Sequence, residues 1–137
     1  MNSGRKMLAG VAIAVGLIGT ALAAVAEPPW SPAQVSVFEQ AGKYSFGNDY
    51  GIPFFTNDRD KGDKVGCGDE CVGITWLPVY ARETAMPQGN WTIILRPDKA
   101  AQWAYQGKPV YNYFASQDRE DVLGLAKEDG HWHSLEP

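Results

Sequence analysis

The sequence predicts an all-β protein, a small antiparallel sandwich or barrel built from two diverged repeats. Three observations carry this. Runs of four to six β-branched and aromatic residues alternate with turn signals. Sixteen aromatic residues, all beyond position 26, supply enough ring surface for a core. A pattern also recurs at a fixed distance: Gly51-Ile-Pro53-Phe-Phe55 and Gly107-Lys-Pro109-Val-Tyr111 share Gly-x-Pro-x-aromatic at an offset of 56, and Trp76 and Trp132 lie at the same offset. We read two copies of one unit, 35–80 and 91–136, joined by the polar stretch 82–90, within a single domain 27–137.

The chain opens with Arg5 and Lys6, an apolar run from Met7 to Leu22, and the small residues Ala24 and Ala26 before Glu27-Pro28-Pro29. This is the pattern of a secretory signal peptide, 1–26, cleaved at Ala26-Glu27, which places the protein in the periplasm or outside the cell. No Cys stands near the site for lipid attachment, and no membrane span is expected in the mature chain.

Strands are expected at Val35–Phe38, Lys43–Phe46, Pro53–Thr56 and Ile74–Val79 in the first copy. Turns fall at Gly47-Asn48-Asp49 and Asp60–Asp63. In the second copy Trp91–Arg96 precedes a turn at Pro97-Asp98-Lys99, Gln102–Tyr105 and Val110–Phe114 form a hairpin around Gly107, and Trp132–Leu135 closes the chain. Arg119–Glu128 lacks alternation and is expected to turn as a helix.

The hairpin poses a question of its own, since Trp103, Tyr105, Tyr111 and Tyr113 sit on alternate positions. A three-residue loop, Gln106–Lys108, pairs Tyr105 with Pro109 and Trp103 with Tyr111, which puts all four rings on one face. Cross-strand aromatic pairs favour that register, and a one-residue slip reverses it. The ring face is then core, with tyrosine hydroxyls at a candidate binding rim, and Gln102, Ala104 and Asn112 face solvent.

Cleavage removes two of the 12 basic residues and none of the 16 acidic ones, so the mature chain carries a net charge of 10 − 16 = −6. Such a surface argues against nucleic acid as a partner. Cys67-Gly-Asp-Glu-Cys71 reads as a structural disulfide in an exported protein. Asp69 and Glu70 would raise a thiol pKa, which disfavours redox catalysis.

The stretch Trp91–Phe114 with Gly130–Pro137 resembles the secreted repeat of unknown function family, predicted lipoproteins with a Y-x-(F/W/Y)-x-x-D motif. Matching residues are Gly89-x-Trp91, Gln102-Trp-Ala-Tyr-x-Gly-Lys-Pro-x-Tyr111, the C-x3-C of Cys67 and Cys71, Trp76-Leu-Pro78 and Trp132-His133. Ser116 stands where the signature of the second copy has Asp. In the first copy Phe55 and Asp60 fit and Asn57 replaces the middle aromatic. The resemblance implies an exported tandem repeat and assigns no reaction.

For chemistry, His131-x-His133 is the sharpest pattern. On a strand the two imidazoles share a face and form a candidate metal pair for Zn or Cu, with Trp132 pointing into the core. They are the only histidines, so a third ligand has to be an Asp or Glu. The competing reading is two polar residues on the solvent face of a terminal strand. Asn57–Asp63 lacks calcium-loop spacing and reads as a turn with Asx hydrogen bonds. No Gly-x-Ser-x-Gly setting or phosphate-cradling loop is present. The expectation is a non-enzymatic exported binding or structural module without a cofactor. The alternative is a Zn- or Cu-binding protein, redox-related, that uses the His pair.

Overall fold

The computed structural model describes residues 10–19, 26–61, 76–113 and 118–137. Among these, nine short strands and one helix follow in order: β1 (Ser36–Gln40), β2 (Lys43–Gly47), β3 (Phe55–Asn57), β4 (Trp76–Pro78), β5 (Trp91–Leu95), β6 (Ala101–Tyr105), β7 (Lys108–Pro109), β8 (Tyr111–Tyr113), α1 (Arg119–Asp129) and β9 (Trp132–Ser134). They form three antiparallel sheets, β1-β2, β4-β8-β3-β9 and β5-β6-β7. The fold is all-β and sandwich-like, and the sheets do not close into a barrel.

The four-stranded sheet sets the architecture. Its central pair joins β3 to β8 with Phe55 opposite Tyr111, and its outer strands are exchanged. On one side Trp76, Leu77 and Pro78 of β4 pair with Tyr113, Asn112 and Tyr111. On the other side Trp132, His133 and Ser134 of β9 pair with Asn57, Thr56 and Phe55. Each of these pairs maps onto one of the other set by an offset of 56 residues. The flanking backbone bonds follow the same shift: Val79 N donates to Val110 O, and Leu135 N donates to Phe54 O.

Alternation along these strands gives the sheet two apolar faces. Phe55, Tyr111, Tyr113 and Trp132 pack on one side against Val122 and Ala126 of α1. Phe54, Val79, Val110 and Leu135 pack on the other against Phe46, Trp91, Trp103 and Tyr105. The helix forms where the alternation stops. Asp118 caps it by accepting from the Asp121 amide at 2.9 Å, Glu120 and Asp121 occupy its first turn, and Gly130 ends it at φ 78°.

The hairpin differs from the sequence expectation. Gln106 and Gly107 form a two-residue loop with φ of 49° and 78°, so Tyr105 pairs with Lys108 and Ala104 with Pro109. Positive φ at both central positions is the turn that matches strand twist, and Gly at the second makes it accessible. The chain then leaves that sheet, and Tyr111 starts β8 in the four-stranded sheet. Trp103 and Tyr105 therefore enter one core and Tyr111 and Tyr113 the other, instead of sharing a face. Gln102 and Ala104, expected at the surface, are fully buried because both sides of the hairpin are covered.

Cys67 and Cys71 lie outside the described residues, as does Ser116. Among the described residues no helix is long and apolar enough to cross a membrane.

Candidate functional site

The four hairpin aromatics retain only 2, 5, 0 and 9% exposure for Trp103, Tyr105, Tyr111 and Tyr113. They are core residues, and the hydroxyl of Tyr111 is itself buried. Polar chemistry gathers elsewhere, at the outer edge of the four-stranded sheet.

That edge is built by the pairing of β3 with β9. Beyond Asn57 opposite Trp132 the chains stay paired, and the Asp58 amide donates to His131 O at 3.0 Å. Asp58 thus faces His131 across the strands. On the Asp58 side the chain turns at once, because the Asn57 carboxamide oxygen accepts from the Arg59 amide at 2.9 Å. On the His131 side the left-handed Gly130 directs the chain out of α1, and the His131 amide donates to Asp129 at 3.2 Å.

Two residues along β9, His133 projects to the same side as His131 while Trp132 enters the core. The Asp58 carboxylate bridges both imidazoles, with Oδ1 2.7 Å from Nδ1 of His131 and Oδ2 3.4 Å from Nε2 of His133. The side chains are 48, 42 and 59% exposed for Asp58, His131 and His133. The hydrogen bond from His131 is the main cause that holds the Asp58 carboxyl below its ordinary pKa. Desolvation opposes it, and the hydrogen bond from His133 adds to the lowering. One nitrogen of each imidazole, Nδ1 of His131 and Nε2 of His133, faces the Asp58 carboxylate. No three His, Cys, Asp or Glu side chains among the described residues already surround one point as a metal centre.

The structure therefore brings His131 and His133 together with Asp58, a residue that sequence reasoning had placed only in a failed calcium loop. The usable signal was position: Asp58 follows one predicted strand and His131 precedes another. Without the knowledge that those two strands pair, the signal carries no weight.

A second polar cluster was also missed, and it is buried. Arg96 donates to Gln102 Oε1 at 2.8 Å, and Gln102 Nε2 donates to Val110 O at 2.8 Å. Burial, reinforced by the Asp60 carboxylate, pushes the Tyr111 hydroxyl well above the ordinary tyrosine range, and Arg96 opposes this weakly. That hydroxyl lies near Asp60 and Arg96 but meets hydrogen-bond geometry with neither. This cluster ties the β5–β6 turn to the hairpin and is enclosed, which suits a structural role.

Comparisons with family models, curated proteins and solved structures found no match. The resemblance to the secreted repeat family rests on its quoted residues alone.

Proposed function

We propose that the protein is an exported, non-catalytic binding module whose ligand surface is the β3–β9 edge around Asp58, His131 and His133. The observation that carries this is the bridging carboxylate, which draws two imidazoles from the β9 side and one acid from the β3 side into a single solvent-facing group. Its openness favours binding over catalysis, since a reacting centre gains from the exclusion of water. The signal-like residues 1–26 support export with cleavage at Ala26-Glu27, and the resemblance to an exported repeat family agrees. The correspondence of pairings between the two copies supports descent from a duplicated unit whose closing strands are exchanged.

The test has two parts. Intact mass of the exported product is expected to show a chain that starts at Glu27, and recovery of the full chain in the membrane fraction would count against export. Amide NMR of that product is then recorded with a fragment library in the presence of EDTA. Shifts grouped on 56–58 and 131–134 are expected. Shifts grouped around Trp103, or chemical turnover of a fragment, would overturn the reading.

A further inference from the structure

We propose that Asp58, His131 and His133 form a three-donor site for a borderline divalent transition metal, Zn(II) or Cu(II). This deepens the binding reading above and rests on it. Two imidazoles and one carboxylate are the donor set that suits these ions, whereas Ca(II) and Mg(II) prefer sites made only of oxygen.

The Asp58 carboxylate stands within contact distance of both imidazoles. Around a tetrahedral ion with bonds of about 2.0–2.1 Å, adjacent donor atoms stand roughly 3.3 Å apart. Nε2 of His133 and Oδ2 of Asp58 are already 3.4 Å apart. Nδ1 of His131 and Oδ1 are at 2.7 Å, the length of a hydrogen bond, and separate by about half an ångström when the ion replaces the bridging proton. As placed, the three side chains do not stand as a metal-binding group, and loading requires them to move. Each imidazole coordinates through the nitrogen now turned to Asp58 and carries its proton on the other ring nitrogen. All three side chains are about half exposed, so the adjustment needs rotation of surface side chains rather than repacking. Three protein donors leave further coordination positions to water or to a bound ligand.

The molecule contains its own control. Leu77 pairs with Asn112 as His133 pairs with Thr56, in the corresponding place of the exchanged strand. By the same offset, His131 corresponds to Thr75 and Asp58 to Phe114. The corresponding positions of the two copies thus carry three metal-binding side chains in one case and none in the other. Strand pairing alone does not call for the trio.

The experiment uses the untagged exported protein, stripped with chelator and dialysed, and titrated with Zn(II), Cu(II), Ca(II) and Mg(II) by calorimetry and by imidazole NMR. One Zn(II) or Cu(II) per chain is expected, with shifts at both histidines and none from Ca(II) or Mg(II). Asp58→Asn and His133→Leu are each expected to weaken binding at least tenfold. His133→Leu installs the residue that the corresponding strand already carries, and a native-like amide spectrum verifies its fold. Binding no tighter than millimolar, or variants within twofold of wild type, would overturn the site. Should fragments in EDTA still perturb this edge while no metal binds, the metal site alone falls. Fragment shifts that map elsewhere remove the binding surface as well.

Discussion

Trp76 and Trp132 stack face to face, with ring centroids 4.1 Å apart and planes within 8° of parallel, although 56 residues separate them along the chain. The contact reaches across the helix side of the sheet between its two outer strands, β4 and β9, and Phe55 and Tyr111 pack edge-on against it. Trp132→Ala is expected to cost about 3–5 kcal/mol, as for other large rings removed from a core. Trp76→Ala should cost less, since that ring is only partly buried. Their coupling in a double-mutant cycle should reach about 0.5–1.5 kcal/mol. Urea unfolding of the four proteins measures all three values, and additive losses would mean that the stack contributes nothing beyond burial.

Trp103 tests the assignment of the hairpin to the core. Its ring is buried against Trp91, which it meets edge-on at 6.0 Å between centroids. Trp103→Ala is expected to destabilise by about 3–5 kcal/mol, a large part of what a small domain has, and to lower the yield of folded protein. A variant that melts with the wild type would place the ring at the surface.

Tyr111→Phe should be tolerated, with a change in stability of about 1 kcal/mol or less in either direction. The hydroxyl it removes is buried without a hydrogen-bond partner, and Phe already occupies the facing position 55. The pH dependence has a definite sign. The hydroxyl pKa is raised in the folded state from an ordinary 10.0, so its contribution is full below that pH and is lost as pH rises above it, where the unfolded chain ionises first. Wild type should therefore lose stability at alkaline pH faster than Tyr111→Phe, as read by denaturant midpoints at pH 8 and above 10.

Asp58 should titrate below its ordinary value of 3.8 when followed by carboxyl carbon NMR. His131→Gln should raise its pKa more than His133→Gln, because the hydrogen bond from His131 is the larger cause. A depressed acid pKa stabilises the fold above the unfolded value, and that contribution disappears as pH falls through the folded one. The stability difference between wild type and Asp58→Asn should accordingly shrink on acidification below about pH 4. An equal response to both histidine changes would mean that the carboxylate is shared evenly.

Much of the fold was legible in the sequence because strand signals are local. Lys43–Phe46 and Trp91–Arg96 carry their alternation and their turn residues within a few positions, and the helix announces itself where alternation fails. The hairpin shows the limit. The expected three-residue loop optimised aromatic pairing within the hairpin. The real chain uses the two-residue turn and then changes sheets, because burying Trp103 and Tyr111 in separate cores covers both faces. The site was half legible for the same reason: His131 and His133 lie two residues apart in sequence, at the start of β9, whereas Asp58 is 73 residues away from His131.

The sequence by itself determined the all-β class and the approximate location of most strands, since each depends on residue spacing along the chain. Only the tertiary structure decided which strands pair. Strand pairing is a non-local choice between sheet edges that look alike locally, and β4 and β9 each pair with the central strand farther from them in sequence. The same choice of partner put a carboxylate opposite the two histidines.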